Sequence, residues 1–119
     1  MIDRKAFSVV AQMETGLGHG HTRFAKRLEL GISTNHDDSY VCVVDTKTNR
    51  KVKDIEVSRV PTPPDKKRQG HTSAVDPDGR FFYHTASSDG KFYKIDLEKL
   101  EMIDCIHLGG YPIQGAFVW

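Results

Sequence analysis

The sequence predicts an all-β chain, and three observations carry that prediction. Landmarks recur: an apolar-Asp pair stands at Ile2-Asp3, Val44-Asp45 and Ile95-Asp96, and a Gly-His-Thr step stands at Gly20-His21-Thr22 and Gly70-His71-Thr72. The segments between landmarks are short, rich in β-branched and aromatic residues, and broken by Gly, Pro, Asn and Asp. No window of helical length keeps an apolar residue at i, i+3, i+4 and i+7. The most helix-tolerant stretch, Leu97–Met102, is too short to stand alone.

Taken in order, residues 1–16 hold Ile2-Asp3 and then the apolar run Phe7–Glu14, which reads as the outermost strand of a preceding unit. Residues 17–59 form a first full unit with strands at His21–Ala25, Leu28–Thr34, Tyr40–Val44 and Lys51–Val57, its central turn being Asn35-His36-Asp37-Asp38-Ser39. Residues 60–69, rich in proline and charge, read as a surface loop. Residues 70–109 form a second full unit: Ser73–Val75, the turn Asp76-Pro77-Asp78-Gly79, Phe81–Thr85, the turn Ser87-Ser88-Asp89-Gly90, Lys91–Ile95 and Met102–Leu108. Residues 110–119 end in Gly115–Trp119, an innermost strand of a following unit. The Asp landmarks lie 42 and then 51 residues apart, and the loop at 60–69 accounts for most of the difference.

Four short strands repeated every 40–50 residues or so is the pattern of β-propeller blades. Ala74-Val75-Asp76-Pro77-Asp78-Gly79-Arg80-Phe81-Phe82-Tyr83, followed by Gly90-Lys91-Phe92-Tyr93-Lys94-Ile95-Asp96, resembles the YVTN-type repeat. The first unit departs from that pattern, with Ala25-Lys26-Arg27 in place of Pro-Asp-Gly. The resemblance implies two four-stranded propeller blades plus flanking single strands, an incomplete propeller. The blade register is also similar to the propeller of nitrous oxide reductases, in which axis-facing histidines hold a copper–sulfur cluster. That likeness implies a site for copper or another transition metal at His19, His21 and His71, imidazole being a suitable ligand for such metals. Ile113, at the corresponding place in the third inner strand, breaks the pattern.

The remaining residues point away from catalysis. Asp3, Asp45 and Asp96 are expected to cap the turns that follow them. His36 reads as a solvated turn residue, His84 and His107 as structural, and Cys42 and Cys105 as buried thiols. Gly16-x-Gly18-x-Gly20 is no dinucleotide fingerprint, because no helical pattern follows it. The 17 basic residues against 16 acidic ones supply no field for nucleic acid, and no apolar run has the length of a membrane helix. A lactonase-like hydrolase would need axis-facing carboxylates, and the shared inner position carries histidine instead.

The abrupt apolar ending Ala116-Phe117-Val118-Trp119 suggests about half of a closed fold, completed by a longer reading frame or by copies of itself. Open edges and bare blade faces favour self-association, so the expectation is a non-catalytic binding or scaffold module forming homo-oligomers. The compartment stays open. With no secretion signal at the N-terminus the chain reads as cytoplasmic, or as periplasmic or extracellular if it derives from a longer precursor.

Overall fold

The computed structural model describes residues 1–58, 72–112 and 115–119. Ten strands form in the described chain: β1 (Ile2–Asp3), β2 (Ser8–Val9), β3 (His19–Ala25), β4 (Leu30–Asn35), β5 (Tyr40–Asp45), β6 (Arg50–Glu56), β7 (Ser73–Val75), β8 (Phe81–Ala86), β9 (Lys91–Asp96) and β10 (Glu101–His107). They build two four-stranded antiparallel sheets, β3-β4-β5-β6 and β7-β8-β9-β10, and a two-stranded hairpin β1-β2. In each sheet every strand pairs with its neighbour in sequence, as consecutive hairpins do. The predicted strands and the observed ones agree to within two residues at nearly every boundary.

The apolar-Asp landmark explains why one hairpin appears three times. Asp3 Oδ1 accepts the backbone N–H groups of Lys5 and Ala6, Asp45 Oδ1 those of Lys47 and Thr48, and Asp96 Oδ1 those of Glu98 and Lys99. Four residues beyond each Asp the chain turns left-handed, at Phe7, Asn49 and Leu100, with φ of 48°, 56° and 55°. Each Asp then pairs with the residue five further on: Asp3 with Ser8, Asp45 with Arg50, Asp96 with Glu101. The carboxylates are turn-makers, as expected.

The two inner hairpins reach the same shape by different chemistry. In the second sheet Gly79 takes φ 70° and donates to the Asp76 carbonyl at 2.9 Å, while Asp76 Oδ1 accepts from Arg80 N and Phe81 N. The first sheet, lacking Pro-Asp-Gly, turns through a short 3-10 segment at Lys26–Leu28, with Glu29 left-handed at φ 57°. That segment takes up Leu28, so β4 starts at Leu30 and not at Leu28.

The core lies between the two sheets. Ala25, Ile32, Val41, Val43, Ile55 and Val57 of the first meet Phe82, Ala86, Tyr93, Ile95 and Leu97 of the second, all buried. Alternation along the strands makes this one face of each sheet, removed from water by the other. Arg23 Nε reaches across to the Ser73 carbonyl at 3.0 Å.

The flanking segments are less regular than their sequence suggests. Of Phe7–Glu14 only Ser8–Val9 is in a strand, paired with Ile2–Asp3, and all four residues are exposed. Residues 115–119 adopt no strand; Phe117 and Trp119 instead lay their rings on the outer face of the second sheet, 6.0 and 5.7 Å from the Tyr83 ring. A strand needs a ladder partner, and among the described residues no strand pairs with 115–119. The inter-unit loop at 60–69, together with His71 and Ile113, lies outside the described residues.

Candidate functional site: the His19 cleft and the polar layer between the sheets

His19 and His21 are both exposed and belong to β3, yet they serve different faces of the sheet. Between His19, opposite Asn35, and Thr22, opposite Ser33, β3 spends one residue more than β4. This bulge resets the alternation. His19 falls on the outer face with Thr22, Phe24, Gly31 and Ser33, whereas His21 falls on the inner side with Arg23 and Ala25. Thr34 fills the bulge: its Oγ1 accepts from His21 N at 2.9 Å and donates to His21 O at 3.3 Å.

Gly20 is required there by closeness. A Cβ on it would come within 2.5 Å of Thr34 Oγ1 and 2.7 Å of His36 Nε2. The glycine-rich lead-in before it docks on the β4–β5 turn, with His36 N donating to Gly18 O at 2.7 Å and Leu17 N donating to Asp38 Oδ2. The Gly-x-Gly-x-Gly spacing is thus a backbone docking strip. Of the proposed metal ligands, His19 and His21 are separated by the bulge, and His71 lies outside the described residues. Among the described residues no group of three or more His, Cys, Asp or Glu side chains is gathered closely enough to hold a metal ion.

On the outer face, His19 Nδ1 lies 2.7 Å from Ser33 Oγ and 3.4 Å from Thr15 Oγ1. This group borders a cleft of about 620 Å³ between the first sheet and the N-terminal segment, lined by Met1, Met13, Phe24, Gly31 and Val44 among others. Its described lining contains no carboxylate, lysine or arginine. The walls are mainly apolar, and the imidazole–hydroxyl pair of His19 and Ser33 supplies polar atoms at one side.

A second cluster sits between the sheets, where β4 and β8 end. His84 is fully buried, paired across the ladder with Ser73 and Tyr93. Burial pushes its pKa down to about 4, a hydrogen bond to the Thr72 backbone works the other way, and the nearby His36 lowers it further. His84 is therefore a neutral structural histidine, as its sequence context implies. His36 departs from expectation: it is half-buried against this layer, not solvated. Beside it Asp89 accepts from Ser58 Oγ and, at 2.6 Å, from Tyr93 Oη, tying the end of the first sheet to the second.

The thiols divide. Cys42 is buried on β5, and burial pushes its pKa up to about 11, with Asp54 adding to the rise and Lys51 opposing it. Cys105, expected to be buried, is exposed, because the whole of the edge strand β10 faces solvent. His107 is exposed on the same strand. Sequence reading passed over Thr34, Arg27 and Asp89, whose roles depend on contacts between units and not on spacing.

The architecture defines an all-β protein of propeller-type blades: antiparallel four-stranded sheets stacked face to face in sequence order. Among solved structures it is similar to the hydrazine synthase of Kuenenia stuttgartiensis, a protein that contains a β-propeller, with a TM-score of 0.65 and 21% identity. The match covers 87% of this chain and 27% of that one, so the chain spans about a quarter of the length of the protein it resembles. At that identity the likeness concerns the fold. No family model matches the chain, and no curated protein matches it in sequence.

Proposed function

We propose that the chain is a YVTN-like, non-catalytic propeller module that serves as a binding or scaffold unit and associates with copies of itself. One observation carries this reading: large apolar side chains stay exposed at the margins of both sheets, beside the outer-face cleft and along the outermost strand β10. Phe24 on the outer face of the first sheet, and Met102, Ile103, Ile106 and Leu108 in and just after β10, are exposed. Among the described residues, edge strands β6 and β10 each pair along one side only. The outer-face cleft offers apolar walls and an imidazole–hydroxyl pair without a carboxylate, which favours holding over transforming. Light scattering on the purified chain tests the proposal. A solution mass that is a multiple of 13.4 kDa at micromolar concentration supports it, and a monomer throughout the micromolar range overturns it.

A further inference from the structure

The repeat lets each position of one sheet be matched to a position of the other. Leu30 stands opposite Asp45 in the first sheet as Phe81 stands opposite Asp96 in the second. Gly31 therefore matches Phe82, Ile32 matches Tyr83, Val41 matches Phe92 and Val44 matches Ile95. Inside the chain, aliphatic Ile32, Val41 and Val43 of the first sheet meet the larger Phe82 and Tyr93, with Ile95, of the second.

The two outer faces are complementary in the opposite sense. The second sheet presents Tyr83 and Phe92, and the rings of Phe117 and Trp119 extend them into one aromatic ridge, with centroids 5.7–6.0 Å apart. The first sheet presents Gly31, Ser33 and Val44 as part of the lining of the cleft of about 620 Å³. A ridge of large rings and a hollow over small residues conserve the volume that close packing demands. Trp119, 61% exposed, carries an indole N–H that needs an acceptor when buried, and the cleft offers the exposed His19 imidazole, whose Nδ1 is bonded to the buried Ser33 hydroxyl.

We infer that this cleft receives Trp119 and Phe117 of a second copy, so that copies join head to tail, the first sheet of one on the second sheet of the next. The inference rests on the self-association proposed above and names its two surfaces. The contact is heterologous, so it propagates into a ring or a chain until one surface is blocked.

Light scattering on the wild type, Phe24→Glu and the double variant Phe117→Ala/Trp119→Ala tests it. Phe24 is an exposed wall of the cleft, and a charge there closes it to a ring. Each variant is expected to stay monomeric at concentrations where the wild type has assembled, and an equal mixture of the two is expected to stop at a one-to-one dimer. Trp119, the single tryptophan, then shifts its emission to the blue in the Phe24→Glu partner as the tryptophan-free partner is added. Thr22→Arg blocks the same cleft and replaces Phe24→Glu if that variant loses its far-ultraviolet β signal. A wild type that assembles together with both variants overturns the cleft pairing while leaving association through strand edges intact. A monomeric wild type overturns both.

Discussion

Arg27 in the first sheet's inner turn donates to Glu98 in the second sheet's outer turn at 2.6 Å, while its Nε donates to the Asp78 carbonyl at 3.0 Å. Arg80 adds a longer contact to the same Glu98 at 3.6 Å. One side chain thus holds the inner and the outer turn of the second sheet in register with the first. It stands where the second unit has its Pro-Asp-Gly turn, so the first unit's departure from the repeat provides one of the ties between units.

Arg27→Ala is expected to weaken the fold only modestly. Arg27 and Glu98 are 51% and 42% exposed, and a pair in that setting contributes on the order of 0.5–1 kcal/mol after screening. Urea unfolding should show a lower midpoint at unchanged slope, and the difference should shrink in 1 M salt, at which the Debye length is about 3 Å. A loss above about 2 kcal/mol would mean that the tie is not a surface contact.

Gly20→Ala should cost more than its size suggests. Gly20 does not have positive φ, so the cost comes from contact: the new methyl would meet Thr34 Oγ1 and His36 Nε2 at the bulge. Forcing one extra carbon into a filled site costs roughly 1–3 kcal/mol. Thermal unfolding checks this, and pairing the change with Thr34→Ala should return part of the loss, since half of the clash is then removed.

Much of this architecture was legible in the sequence because it is written in local chemistry. An Asp that accepts two N–H groups ahead of it needs only its own next three residues, and it marked all three outer hairpins correctly. What stayed hidden depends on residues distant in sequence. The bulge that parts His19 from His21 is made by the Thr34 hydroxyl, and two histidines two residues apart read as neighbours on one face until that hydroxyl is seen. The burial of His36 and the exposure of Cys105 escape the sequence for the same reason. Burial at a turn or at a sheet edge is decided by the neighbouring unit, and local sequence carries no record of where that neighbour sits.

The two cysteines should differ sharply toward an aromatic disulfide reagent at pH 8. Cys105 is exposed and is expected to react within minutes. Cys42 is buried, with its pKa pushed up to about 11, so only about one molecule in a thousand carries the thiolate at that pH. One fast equivalent per chain is expected in native protein, and two after denaturation in guanidinium. Two fast equivalents in native buffer would show that β5 is not sealed.

His84 should make the fold sensitive to mild acid. Its folded pKa of about 4 lies below the ordinary histidine value of about 6.5, so between those values the unfolded chain binds a proton that the folded chain refuses. The stabilisation is therefore complete above about pH 6.5 and is lost as pH falls toward 4, amounting to roughly 3 kcal/mol over that window at 1.36 kcal/mol per unit. Asp45 and Asp96 act lower down. Their carboxyls are held below the ordinary aspartate value: Asp45 by backbone hydrogen bonds led by that from Thr48, and Asp96, although burial opposes it, by bonds from the Lys99 and Glu98 backbone and Arg80. Their contribution is lost only below about pH 4, so the two windows separate. Urea midpoints measured from pH 7.5 to 4 should fall for the wild type and stay nearly level for His84→Gln, which has no proton to take up. Parallel curves for the two proteins would place the acid sensitivity elsewhere.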